Sequence, residues 1–189
     1  MNILKRFTIL FFAIIIGCLV AEAQISTKEN QGINISLLGV EYFYEQPIAK
    51  RLTLVYRAGF VNELGYSWSS LILNDESLFK ENIWSYALRV KVGVDARYYY
   101  NLLKRFKKGK NIRKNSGGYL GISGHYYTPG LIKKNLETNS LLLLYPHWGF
   151  KRVYRHNWFI DFNAGYAFIW WNGYSGNGLN YSFSFGLAF

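Results

Sequence analysis

Cysteine occurs once in the chain, at Cys18, inside an apolar N-terminal segment. A mature chain that has lost that segment carries no thiol, which excludes disulfides and cysteine metal sites. Long apolar runs are also missing. Beyond Gln24 nothing approaches the roughly 20 residues that a membrane-spanning helix needs. Acidic side chains are few, 11 Asp and Glu against 22 Lys and Arg, for a formal net charge of +11. The connection 102–116 has no acid at all. His147 and His156 have no companions at metal-ligand spacing, so they are expected as polar groups at an interface, and no metal or cofactor is expected. The glycine-containing stretches 116–118 and 173–178 precede no helix, so they are turns and not phosphate loops.

What the chain has in abundance is aromatic and apolar residues, 19% and 50%, at a mean hydropathy near zero. Water-soluble domains rarely carry so many rings. A transmembrane β-barrel does, because each strand shows apolar groups to lipid and polar groups to the lumen. The N-terminus has the order of an export signal: Lys5 and Arg6, an apolar run over 7–20, then Ala21-Glu22-Ala23. The run is short for a retained anchor. Cleavage after Ala23 makes residues 1–23 a signal peptide and 24–189 the mature barrel, one charge unit less basic. Ile15-Ile16-Gly17-Cys18 also resembles a lipobox, which leaves processing at Cys18 as the alternative.

The mature chain alternates with period two, the mark of strands with one apolar face. Over residues 86–101, Leu88, Val90, Val92, Val94 and Ala96 share a face with Tyr86, Tyr98 and Tyr100. Arg89, Lys91, Asp95 and Arg97 occupy the other. Trp158, Ile160, Phe162, Ala164, Tyr166, Phe168 and Trp170 repeat the pattern against Asp161 and Asn163. The last strand sets Leu179, Tyr181, Phe183, Phe185, Leu187 and Phe189 against Asn180, Ser182, Ser184 and Gly186. Tyr98, Tyr100, Trp158 and Trp170 are expected in interfacial girdles. Further strands are expected at 40–46, 52–64, 118–128 and 141–154. Bacterial single-chain barrels have even strand numbers. The phase changes at Leu37-Leu38, which signals either a bulge or a tight reversal; a reversal makes the count eight. The expected fold class is therefore all-β, an antiparallel transmembrane barrel of eight strands. Connections 47–51, 102–116 and 155–157 are expected on the periplasmic side, and loops 65–83, 129–140 and 172–178 outside.

Three features carry candidate chemistry. Lys104, Arg105, Lys107, Lys108, Lys110, Arg113 and Lys114 make the connection 102–116 a basic contact surface. Export argues against nucleic acid as its partner and favours lipid headgroups or an anionic periplasmic polymer. The inward face collects Glu41, Glu45, Arg57, Arg89, Lys91, Asp95, Arg97, Lys151 and Asp161. An eight-stranded interior is just wide enough for side chains to fill, so these charges are expected to pair and plug the lumen, against the alternative of a narrow channel. Ser123 and His125, two apart on one strand, are the sole hint of a lipid-modifying hydrolase. They face inward, away from lipid, and show no acid nearby. No catalytic residue is assigned.

Ala96-Arg97-Tyr98-Tyr99-Tyr100-Asn101, Lys104-Arg105, Lys107-Lys108-Gly109-Lys110-Asn111, Asn115-Ser116-Gly117 and Pro146-His147-Trp148-Gly149-Phe150 together carry a resemblance. The chain resembles uncharacterised small outer-membrane β-barrel proteins of Bacteroidota, closely over residues 96–120 and loosely elsewhere. It departs from them at Glu45-Gln46, where such proteins often have Asn-Glu. The resemblance implies outer-membrane placement and brings no activity. The expected molecule is a monomeric barrel with a structural or interaction role, its partners outer-membrane lipid and the barrel-insertion machinery, the latter reading Phe189.

Overall fold

In the computed structural model, residues 26–36, 38–70, 80–135 and 138–189 are described. The expected signal segment 1–23 and Cys18 lie outside them. The change of phase near residue 37 is a reversal: strand β1 (Asn30–Ser36) runs into β2 (Gly39–Ala49), and Ser36 pairs with Gly39. Then follow β3 (Leu52–Ser70), β4 (Lys80–Tyr98), helix α1 (Leu102–Lys107), β5 (Gly118–Tyr127), β6 (Ile132–Lys134), β7 (Leu141–Val153), β8 (Trp158–Trp171) and β9 (Tyr174–Ala188). Each long strand pairs antiparallel with its neighbours, and β9 returns to β1, so eight strands close into a barrel. β6 stands outside that count. It is the β5–β7 loop folding back onto the upper part of β4. Among the described residues no helix is long and apolar enough to cross a membrane.

Four sequence expectations need correction. In the loop expected at 65–83, residues 65–70 and 80–83 are strand, since β3 and β4 pair up to Ser70 and Lys80, while 71–79 lie outside the described residues. The loop expected at 172–178 shrinks to Asn172-Gly173, both at positive φ (45° and 83°), a backbone shape that suits the right-handed twist of a two-residue hairpin. The loop expected at 129–140 contains β6. The strand expected through residue 101 ends at Tyr98, and Tyr99 turns into the barrel, fully buried.

The strands are strongly staggered. Stepping across the pairings from Ile33 leads through Tyr42, Ala58, Val92, Tyr126, Leu142 and Trp170 to Ser175 on β9. Ile33 itself pairs with Leu187, twelve residues further along that strand. A stagger of this kind tilts the strands and widens the barrel. It also leaves β1 and β2 much shorter than the walls beside them.

The interior closes by pairing small residues with large rings from the next strand. A Cβ on Gly149 would meet Phe162 O and the Tyr119 ring at 2.6 Å, and one on Gly186 the Phe159 ring at 2.5 Å. Gly149→Ala therefore forces the Tyr119 ring or the β7–β8 ladder to shift. It is expected to lower the unfolding free energy, read by urea titration of the folded barrel, by about 1–3 kcal/mol.

Candidate functional site: a filled base, a polar cup and a basic collar

The base of the barrel, at the end that carries both described termini, is filled. Phe43, Val55, Val153, Phe159 and Ala188 form its apolar floor. Lys151 Nζ lies 4.7 Å from the Phe43 ring centre and reaches Glu45 at 3.2 Å. Glu45 also accepts hydrogen bonds from Thr53 (3.0 Å) and Tyr99 (2.8 Å). The space among Phe43, Glu45, Arg97, Lys151 and Phe159 is too small for a water molecule.

Above this floor lies a charge network across four strands. Arg97 on β4 binds Asp161 on β8 at 2.7 Å, and Tyr119 donates to the same carboxylate at 2.5 Å. Arg57 binds Asp95 at 2.7 Å and approaches Glu41 (3.6 Å) and Asp161 (3.8 Å). Lys91 meets Glu41 at 2.6 Å. Near the rim Arg89 pairs with Glu63 at 2.8 Å and donates to Thr128 O and Asn139 O, which ties the β5–β7 loop down. All nine inward charges read from the sequence lie in this interior, and each has a partner of opposite sign. Glu63 is the partner the sequence reading missed, although it lies inside the strand expected at 52–64 and in phase with Arg57.

The upper half of the lumen is hollow. A cavity of about 490 Å³ is bounded by Glu41, Arg57, Lys91, Asp95, His125 and Asp161 below and by Asn34, Asn163, Asn180 and Tyr181 at the sides. It is a blind cup, because the filled base closes one end.

Ser123 and His125 both face inward. The acid absent from the sequence reading is present: Asp95 Oδ1 lies 2.9 Å from His125 Nε2. A sequence separation of 30 hid it, and only the β4–β5 register brings it near. Ser123 is fully buried, does not line the cup, and shares no hydrogen bond with His125 among the described residues. An acid–base pair is thus present with no nucleophile joined to it. His147 is not at an interface as expected. It is buried beside Tyr145, ring centres 4.7 Å apart, over the space that Gly121 leaves open. His156 lies exposed in the turn before β8. No group of three metal-ligating side chains occurs among the described residues.

The basic connection is an ordered collar across the filled end, not a plain turn. Leu102 of α1 is buried against Tyr99 and Tyr119, with Ile112 packed alongside. Asn115 exchanges two hydrogen bonds with Lys28, at 2.8 and 2.7 Å, while Asn111 donates to Val153 O and Lys114 to Ala188 O. Arg105 and Arg113 are held by Asn111 and Asn157. Lys104, Lys107, Lys108 and Lys110 are exposed and form no ion pair among the described residues. Partial burial, with Arg113 adjacent, pushes the Lys114 ammonium below its ordinary pKa; burial and Arg152 do the same to Arg105. Positive charge here is dense and unneutralised. A groove of about 330 Å³ runs between Tyr100, Asn101, Lys104, Arg105, Lys108 and Lys110. Tyr100 accepts a hydrogen bond from Trp148 Nε1, and Phe106 of α1 stands exposed.

Phe189 is half-exposed in the outward phase, its backbone N–H bonded to Gln31 O. No protein-family model, curated protein or solved structure matches the chain.

Proposed function

We propose that the protein is an outer-membrane β-barrel with a structural or interaction role, as its resemblance to small Bacteroidota outer-membrane proteins implies. One observation carries the reading: a closed eight-stranded barrel has its charges inside and a continuous apolar surface outside. Ile33, Val40, Phe60, Val92, Ile122, Leu144, Phe168 and Phe185 are all exposed on that surface. An exposed apolar belt of this extent would aggregate in water and suits hydrocarbon. Where the ladders of the ring pair, they satisfy the backbone groups that hydrocarbon cannot. In this setting the end with both termini is periplasmic, export is by cleavage after Ala23, and Phe189 is the residue read on insertion.

The collar then sits at the inner-leaflet boundary, where Tyr100, Trp148 and Phe106 suit the interface. Its four unpaired lysines face lipid phosphates. The filled base argues against a channel. Ser123, though paired across the ladder with Asp95, makes no hydrogen bond to His125 among the described residues, which favours a non-enzymatic reading.

Heat-modifiable gel mobility tests the class. The unboiled protein from an outer-membrane fraction should migrate apart from the boiled one. A single band under both conditions, or recovery in the soluble fraction, would sink the reading.

A further inference from the structure

The stagger of the strands leaves a slot in the barrel wall. β9 pairs with β1 only from Ser184 downwards, and β3 pairs with β2 only up to Val61. Above the β1–β2 turn, β9 from Tyr174 to Phe183 and β3 from Asn62 onward face each other with no strand between them among the described residues. The gap spans three inter-strand spacings, about 14 Å. Leu179, Tyr181 and Phe183 on its edge are 87%, 78% and 59% exposed, more than the outward side chains of paired strands such as Val92 at 44%.

This slot opens into the cup, since Leu38, Val61, Tyr181 and Phe183 at its borders also line the cavity. Its β9 flank is apolar as far up as Leu179, which sets it at the height of the outward apolar belt. A bare strand edge does not persist against hydrocarbon, because its N–H and C=O groups have no partners there. A slot into a blind, polar cup therefore calls for an occupant with hydrogen-bonding groups at one end and an apolar portion at the other.

The interior defines the polar end. Arg57, Lys91 and Arg97 balance Glu41, Asp95 and Asp161 in mutual pairs, so among the described residues no charge is left over for an ionic ligand. What is left over is neutral. Asn34, only 5% exposed and lining the cup, has an Oδ1 with no hydrogen-bond partner. Ser182 and Asn180 present further uncharged groups beside it. The volume, about 490 Å³, falls in the range of small-molecule sites.

We propose that the cup is a binding site for an amphiphile with an uncharged, hydroxyl-bearing head, of the glycolipid type, whose tail leaves through the slot into the bilayer. The head hydrogen-bonds to the Asn34 amide and satisfies the β9 edge, while the tail lies against Leu38, Tyr181 and Phe183. This inference rests on the outer-membrane reading for the destination of the tail.

Folded barrel in lipid nanodiscs, titrated with n-octyl β-D-glucoside and read by native mass spectrometry, tests it. One bound molecule per barrel is expected. Methyl β-D-glucoside, which lacks the tail, and octyl sulfate, which has a charged head, should bind at least tenfold more weakly. Asn34→Ala should weaken octyl glucoside at least tenfold, and Ser182→Phe, which fills the cup, should abolish its binding if the first variant does not fold. Equal retention of octyl sulfate, indifference to both substitutions, or a dimer that retains no glucoside would overturn the proposal. The dimer would show that a second copy covers the β9 edge. Heat-modifiable mobility of the same samples keeps the outcomes separate, because a folded barrel that binds nothing refutes the site and leaves the barrel reading intact.

Discussion

Asp161→Ala should lower the unfolding free energy of the folded barrel by about 3–5 kcal/mol, the cost of leaving a buried charge without its partner. Asp161 is 3% exposed and holds Arg97 at 2.7 Å, Arg57 at 3.8 Å and the Tyr119 hydroxyl at 2.5 Å. Removing it strands a guanidinium that is 1% exposed, stacked 4.2 Å over the Tyr119 ring, with Asp95 at 3.3 Å as its remaining counter-charge. Urea titration in lipid reads the loss. Replacing the pair together, Arg97→Met with Asp161→Leu, should recover much of it, because the desolvation of both charges disappears with them. A single Asp161→Ala variant as stable as the parent would mean that water enters the base, and the filled-lumen reading would fall. The magnitude decides between a plug and a path: a hydrated pore wall tolerates the loss of one carboxylate, whereas a dry interior does not.

Changing Lys104, Lys107, Lys108 and Lys110 together to Gln should remove the preference of the barrel for anionic lipid. Each lysine near a negative surface contributes about 1 kcal/mol, so four make about 4 kcal/mol, or roughly a thousandfold at low salt. Exchange of phosphatidylglycerol against phosphatidylcholine around the barrel in nanodiscs is the measurement. The parent's preference should also fade as salt shortens the screening length to about 8 Å at physiological strength. These four side chains are the ones to change, because Arg105, Arg113 and Lys114 hold the collar together through Asn111, Asn157 and Ala188. If lipid preference is unchanged while sedimentation with an anionic cell-wall polymer is lost, the collar serves the polymer instead.

How much of the site was legible follows from what period two can express. Alternation names the side of the sheet on which a residue lies, so the inward placement of Arg97, Asp161 and Lys151 could be read directly. It says nothing about height. Whether Asp95 meets His125 or Arg57 depends on registers between strands far apart in sequence, and those are set by the turns. The two-residue turn at Asn172-Gly173 was missed because the glycines around it suggested a longer loop, although positive φ at both positions is what such a hairpin requires. The collar was legible as charge alone. Its order comes from Leu102 packing under Tyr99 and Tyr119, a contact no local pattern announces.

The sequence by itself determined an all-β chain with charges on one face and rings on the other, and a phase change that makes eight strands when read as a reversal. Tertiary structure alone decided how far the strands are staggered before the ring closes. That stagger is the accumulated offset of eight pairings, and no single strand encodes it. It separates the filled base from the hollow cup, leaves β1 and β2 short, and opens the slot beside β9.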